Sequence, residues 1–131
     1  MEFEELKNFI AKGGTEVNHF GIEFKRKWQQ DCGQDISAIA NQENIQTGWL
    51  VIGVEDNGTL SGHDEGWLKK TEQDASNHIR QYLEPSWAVK KIFGEIINGA
   101  HCLFIEIQNP QDVVTWNGNA YKLIGTTSSK M

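Results

Sequence analysis

The segment that decides the fold runs Trp49-Leu50-Val51-Ile52-Gly53-Val54-Glu55-Asp56-Asn57-Gly58-Thr59-Leu60. Its uninterrupted aliphatic part is typical of a strand that is covered on both faces. The Asp-Asn-Gly sequence that follows suits positive backbone φ, so it predicts a two-residue hairpin turn and a brief return strand over 59–62. Glu55 and Asp56 are therefore expected at the exit of a rigid buried strand, either in a site or only as solvated turn residues.

The length and charge of the chain limit its organisation and its partners. We interpret residues 1–131 as a single domain, since domains cluster at about 100–150 residues. The formal net charge of −6 argues against a protein that coats nucleic acid by bulk charge, so any phosphate contact must be local. The end of the chain at Met131 has no predicted element, which suits the N-terminal part of a longer protein.

Cysteine usage and the N-terminus bear on the compartment. Cys32 and Cys102 share no metal-ligand spacing with the histidines, and two cysteines are too few for a disulfide framework. Residues 1–5 lack the basic and apolar regions of a secretory signal, and no run approaches the roughly 18 apolar residues that span a bilayer. These features predict a cytoplasmic protein with no membrane partner.

Hydrophobic periodicity predicts the elements. Helical spacing of apolar residues indicates helices over 2–12, 31–40 and 67–83, and alternation indicates strands over 20–25, 49–54, 88–97, 101–107 and 120–124. Asn98-Gly99 is a strong hairpin signal between two of these strands. The order predicts an α+β fold, a mixed β-sheet with about three helices, in which strands 20–25 and 49–54 share one sheet around a helical crossover.

Four acids form the first candidate site: Glu16, Glu23, Glu55 and Asp56. Strand 20–25 alternates as a half-buried strand, which places Glu23 on its polar face. Carboxylates that converge near strand ends hold Mg²⁺ or Mn²⁺ in enzymes that hydrolyse phosphodiesters. The alternative is that Glu23 pairs with a basic side chain on an exposed face and that Asp56 hydrogen-bonds its own turn.

Three adjacent cations form the second candidate site, the basic segment Lys25, Arg26 and Lys27, which Trp28 follows. Such a cluster binds a phosphate backbone while the aromatic ring stacks on a base or sugar. It equally suits a solubilising strand exit. Trp116, beside a predicted turn, is the other aromatic residue expected to contact a partner.

Several segments, in order, resemble a known family: Gly21-Ile22-Glu23-Phe24-Lys25, Ile36-Ser37-Ala38-Ile39-Ala40-Asn41, the strand and turn over 48–58, Ser61-Gly62 and Tyr121-Lys122-Leu123-Ile124-Gly125. Together they resemble the Schlafen-type AlbA-like domain over nearly the whole chain. The resemblance implies an α+β domain that binds DNA or RNA at the N-terminus of a bacterial transcription-regulator or helicase-related protein.

Some vertebrate relatives of that family cleave structured RNA with three acids, which makes a metal-dependent endoribonuclease the alternative. On that pattern Glu23 and Asp56 are catalytic and bind Mg²⁺ or Mn²⁺. Glu16 is the third acid only if the loop is two residues longer, because Asn18 occupies the family position. The late arginine of the family is Leu123 here, which removes a rigid phosphate fork, so we expect binding without catalysis and without a cofactor.

The predicted nucleic-acid contacts are Lys25, Arg26, Lys27, Trp28, Asn41 and Lys122. A third hypothesis is an interaction module in which hairpin 88–107 forms a homodimer through an edge strand.

Overall fold

The computed structural model describes residues 1–16, 21–43, 45–124 and 127–131, so the predicted positions Asn18, Phe20 and Gly125 lie outside it. Its helices are α1 (Phe3–Ala11), α2 (Cys32–Ala40) and α3 (Glu65–Tyr82), with a 3-10 turn at Ser86–Ala88. Its strands are β1 (Ile22–Lys25), β2 (Gly48–Ile52), β3 (Leu83–Glu84), β4 (Val89–Ile97), β5 (Ala100–Ile107), β6 (Thr115–Trp116), β7 (Asn119–Ile124) and β8 (Thr127–Lys130). The predicted α+β class is confirmed.

The buried strand of the sequence, β2, lies inside a mixed sheet of order β1-β2-β5-β4. β1 runs parallel to β2 after the α2 crossover, and the other pairings are antiparallel. All residues of β2 are buried because apolar clusters cover both faces of the sheet. Leu6 and Ile10 of α1 belong to one cluster, and the apolar residues of α2 and α3 belong to the other. The predicted shared sheet is therefore confirmed.

A second sheet of order β3-β6-β7-β8 packs on the other side of α2. The expectation that the chain ends without an element is wrong, since β8 pairs antiparallel with β7. Its polar sequence Thr-Ser-Ser-Lys carries no apolar alternation, and β3 and β6 have only two residues each, so periodicity does not reveal them. Because α2 contacts both sheets, eight of its nine residues are buried.

The turn after β2 differs from the prediction. Of Asp56, Asn57 and Gly58, only Gly58 has a positive φ, at 88°, so the turn is not a two-residue hairpin. The return strand over 59–62 reduces to a single bridge between Val54 and Leu60. Gly58 packs on the end of α1, where a Cβ would come within 2.6 Å of backbone oxygens. The turn after β2 is therefore held in place by packing against the end of α1.

The remaining elements follow local signals. Asn98 and Gly99 both have positive φ, 48° and 84°, as the predicted hairpin turn requires. α3 begins two residues before the predicted bound because Asp64 caps it, accepting a hydrogen bond from the Trp67 N–H at 2.9 Å. No helix in the described ranges is long and apolar enough to cross a membrane.

Candidate functional site

Glu23 is a buried carboxyl in the main sheet. β1 alternates as predicted, but its polar face is covered, and Glu23 is only 5% exposed. The alternative in which Glu23 lies on an exposed face is therefore wrong. The Glu16 carboxyl is hydrogen-bonded to that of Glu23, and its Oε2 also accepts from the Phe24 N–H at 2.9 Å. Since β1 is an edge strand, Glu16 provides the acceptor that a further strand would otherwise supply.

The Glu23 carboxyl keeps its proton at neutral pH. Burial raises the pKa of Glu23 to about 9, and the nearby Glu16 and Asp35 add to the shift while Lys25 opposes it. Burial also raises the pKa of Glu16, with a further contribution from Asp56, although its hydrogen bonds lower it. The bond between them favours the ionised form of Glu16 and the neutral form of Glu23. Glu23 therefore donates to the Glu16 carboxylate.

The structure brings together part of the predicted acid set. Glu16 and Glu23 are in contact, and Asp56 lies close enough to raise the Glu16 pKa, although its side chain is exposed. Glu55 accepts a hydrogen bond from the Ser61 hydroxyl at 3.0 Å. Within residues 1–16, 21–43, 45–124 and 127–131, no group of three or more His, Cys, Asp or Glu side chains is suited to hold a metal ion. The catalytic role of Glu16, Glu23 and Asp56, and the metal role of Glu23 and Asp56, stay predictions.

The basic segment divides into one paired cation and two exposed ones. Lys25 Nζ lies 3.4 Å from Asp35 Oδ2. Burial works to lower the pKa of Lys25, but Asp35 and Glu23 outweigh it, so the pKa is raised. Arg26 and Lys27 are exposed, and neither forms an ion pair in the described part of the chain. The two exposed cations are the members of the segment that are available to a ligand.

Two contacts, one with His63 just before α3 and one with His78 in α3, fix the loop that carries these cations. His63 Nε2 lies 3.1 Å from the Arg26 carbonyl oxygen, and the His63 ring stacks on Trp67 with centroids 3.7 Å apart. Trp28 Nε1 donates to His78 Nδ1 at 2.8 Å. The backbone of the exposed cations is therefore anchored on both sides.

Both tryptophans contact other aromatic rings of the protein. Trp28 is half-buried, with its ring stacked on that of His78 at 6.0 Å and in a T-shaped contact with that of Trp116 at 6.4 Å. Trp116 is 3% exposed and belongs to β6 and the core, so its predicted place in a loop is wrong. Trp28 as a nucleic-acid contact stays a prediction.

Asn41 links the end of α2 to the second sheet. Its amide nitrogen donates to the carbonyls of Val114 and Tyr121, each at 2.9 Å. Its Oδ1 accepts from the Val114 N–H at 2.8 Å. The side chain thus serves the fold through both polar atoms. Lys122 is exposed on β7 beside Tyr121, and the roles of Asn41 and Lys122 toward nucleic acid stay predictions.

The sequence analysis did not identify Asp35, which lies near the charged groups of both Lys25 and Glu23. Asp35 is 7% exposed, and besides the Lys25 pair its Oδ1 accepts from the Ser128 hydroxyl at 2.5 Å. The signal was an acid directly before the core residue Ile36 in a mostly apolar helix. His63 and His78 carried no signal, because isolated histidines have no spacing pattern.

Comparison with known proteins adds a family match and likenesses of fold. The family model described as Schlafen, AlbA_2 matches residues 20–131. The crystal structure of the DIP2311 protein from Corynebacterium diphtheriae is similar with a TM-score of 0.65 and 15% identity, over 98% of this chain and 29% of that chain.

A solution NMR structure is also similar. It is the N-terminal domain of a Nitrosomonas europaea protein named as ATP-dependent DNA helicase RecG-related, with a TM-score of 0.59 and 19% identity. The match covers 95% of this chain and 90% of that domain. At these identities the two likenesses show the fold alone. The search of curated proteins gives no match.

Proposed function

The chain belongs to the Schlafen AlbA_2 family, and from this premise we propose that it is a nucleic-acid-binding domain of a transcription-regulator or helicase-related protein, without catalysis of its own. The observation that carries the proposal is the exposed pair Arg26 and Lys27 on a loop anchored by His63 and Trp28. In a domain of net charge −6, phosphate binding needs such a local arrangement. The name of the Nitrosomonas protein supports the helicase-related context.

Asp35 holds a third cation beside this pair. It pairs with Lys25 of β1 and accepts from the Ser128 hydroxyl of β8. We call Lys25, Arg26 and Lys27 the cationic patch. Lys122, exposed on β7, is the fourth cation that we propose for the interface. Adjacent cations on an anchored loop favour a phosphate backbone, because their charges act together on neighbouring phosphates.

Titration against single- and double-stranded DNA and RNA at several salt concentrations tests the proposal. Reversing both exposed cations, Arg26→Glu with Lys27→Glu, should weaken binding at least tenfold and reduce the slope of log affinity against log salt by about 2. The matched control is Lys70→Glu with Arg80→Glu, which changes charge equally on the exposed face of α3. Unchanged binding by the first variant, or equal loss in the control, would reject the assignment.

A second candidate function is a metal-dependent endoribonuclease. It rests on the three predicted acids, of which Glu16 and Glu23 are in contact and Asp56 lies close by. Incubation of structured RNA with Mn²⁺ or Mg²⁺ decides between binding and cleavage. Cleavage must disappear in Glu23→Ala; products that persist in that variant identify a contaminant, and an inactive wild-type protein removes this candidate.

The homodimer proposal depends on β4, which lies at the edge of the main sheet with Ile96 53% exposed. The same strand carries exposed Lys90 and Lys91 and a bulge next to Val89, features that oppose strand-to-strand pairing. Sedimentation equilibrium over a concentration series measures the oligomeric state directly. A monomer at all concentrations would remove this proposal, and a dimer that the Ile96→Lys substitution dissociates would support it.

A further inference from the structure

A small cleft of about 210 Å³ lies next to the basic segment, between the start of α2 and the second sheet. Four amide side chains line it: Gln30, Gln34, Asn117 and Asn119. Gln30 and Gln34 make no side-chain hydrogen bond within the described ranges, and Asn119 Nδ2 makes only a long one, 3.4 Å, to a carbonyl. Since each amide carries donors and an acceptor, the cleft suits a neutral ligand with both.

The apolar part of the cleft is aromatic. Tyr121 is half-buried in its wall, and Trp116 contributes the rim of an otherwise buried ring. The Trp116 ring lies directly against Gly33 of α2, where any Cβ would overlap it. The buried Trp116 ring therefore fixes this wall, and the half-buried Tyr121 ring offers the surface on which a flat heterocycle can lie with its edges toward the amides.

Charge separates the cleft from its surroundings. Asp31 is the charged residue among the described lining side chains, so an anion is disfavoured inside. Arg26 and Lys27 precede Gln30 by four and three residues, within about 14 Å of extended chain. A carboxylate accepts from the exocyclic amino group of a base, whereas the neighbouring cations suit phosphates. The cleft and the two cations together match one nucleotide of a nucleic-acid strand.

We propose that this cleft binds one unpaired nucleobase that carries an exocyclic amino group, while Arg26 and Lys27 contact the flanking phosphates. The volume is below the roughly 300–1,000 Å³ of sites for drug-sized ligands, which suits one base. Amide side chains pair with the edges of splayed bases, as unpaired strands allow. The phosphate contacts rest on the proposed function, and the cleft adds a preference for single strands.

The first test is independent of nucleic-acid binding. Titration of the full chain with adenosine, cytidine and uridine is followed by NMR of the Gln34 and Asn119 side-chain amides and the Trp116 indole N–H. We expect saturable shifts with adenosine or cytidine at millimolar concentrations and none with uridine. The absence of shifts at these groups with any nucleoside overturns the inference.

The second test uses single-stranded oligonucleotides of one base. Gln34→Ala with Asn119→Ala should lower affinity for the amino-bearing sequence about tenfold, to that for oligouridine, with the salt slope unchanged. Gln73→Ala with Asn77→Ala on α3 is the matched control and should change neither the affinity nor the salt slope. Equal loss for all sequences, or no loss, contradicts the cleft.

The two tests separate the two proposals. Nucleoside shifts at the cleft without any oligonucleotide binding would reject the proposed function and keep the cleft. Salt-dependent oligonucleotide binding that leaves the cleft resonances unmoved would reject the cleft and keep the function.

Discussion

The Lys25 ammonium lies 3.4 Å from the Asp35 carboxylate, so the first cation of the basic segment is paired within the fold. The same carboxylate raises the pKa of Glu23, which Lys25 lowers. Asp35 of α2 therefore influences the protonation of two residues of β1. Glu23 belongs to the acid pair, and Lys25 belongs to the cationic patch.

Asp35→Asn should release Lys25 toward a ligand. The amide still accepts from the Ser128 hydroxyl, so the main loss is the ion pair, and we expect the free energy of unfolding to fall by about 1–2 kcal/mol. If Lys25 then meets phosphate, the salt slope of nucleic-acid binding should steepen by about 1. Asp74→Asn, on the exposed face of α3, removes one charge elsewhere and is the control. An unchanged slope would show that Lys25 takes no part.

Glu23 should make the fold less stable as pH rises. Its pKa in the folded state, about 9, lies above the ordinary value of 4.5, so the folded chain binds this proton more tightly than the unfolded chain. The resulting stabilisation is complete below pH 4.5 and is lost as pH rises toward 9, with a slope of up to about 1.4 kcal/mol per pH unit.

Glu23→Gln removes that titration and keeps a neutral side chain of equal size. Urea unfolding across a pH series should show a flatter slope for this variant, and higher stability than the wild type at alkaline pH. The exposed Glu4→Gln should retain the wild-type slope. A Glu23→Gln variant that still loses stability as steeply as the wild type would refute the raised pKa of Glu23.

Asn41→Ala should destabilise the protein. The substitution leaves the Val114 N–H without its acceptor and removes the donor to the Tyr121 carbonyl, which costs about 2–3 kcal/mol, while the Val114 carbonyl still accepts from the Ser37 hydroxyl. Asn41→Asp keeps the acceptor for the Val114 N–H and should lose less. Thermal unfolding measures both. An Asn41→Ala variant of wild-type stability but reduced nucleic-acid affinity would instead identify Asn41 as a ligand contact.

Gly33→Ala should destabilise more than a glycine substitution elsewhere, because the new methyl group overlaps the buried Trp116 ring. Overpacking of this kind costs about 1–3 kcal/mol or more. Gly66→Ala is the matched control: the nearest atom to its Cβ is 3.6 Å away, and alanine favours a helix, so stability should be unchanged or higher by up to about 1 kcal/mol. Denaturant midpoints compare the two, and equal midpoints would contradict the tight contact.

Local signals predicted the main sheet and the helices. The apolar run of β2, the Asn98-Gly99 turn and the helical stripe of α1 depend on neighbours in sequence, and all three appear in the structure. The second sheet depends on distant partners instead: Leu83 pairs with Trp116, and both strands are too short for a pattern. The turn residues after Trp116 suggested that its side chain is exposed. Those residues determine the backbone conformation, however, and not the direction in which the preceding side chain points.

The site was predictable as a set of residues, but its arrangement was not. Glu16 and Glu23 were candidates, and they meet. Asp35 requires both the phase of α2 and the register of β1, which no single segment contains. Trp28 was expected to stack on a ligand, yet its indole binds His78, 50 positions away, a partner that only the tertiary fold defines.

The position of α2 between the two sheets determines which positions of this domain tolerate amino-acid substitution. Most helices have an outer face on which replacement is nearly neutral, but only Gln34 of α2 is not buried. In a random-mutagenesis library selected for folded protein, tolerated replacements should concentrate on the outer face of α3 and be scarce throughout α2. Engineering of ligand preference should therefore be directed at the loops that flank α2, since the helix itself leaves almost no room for variation.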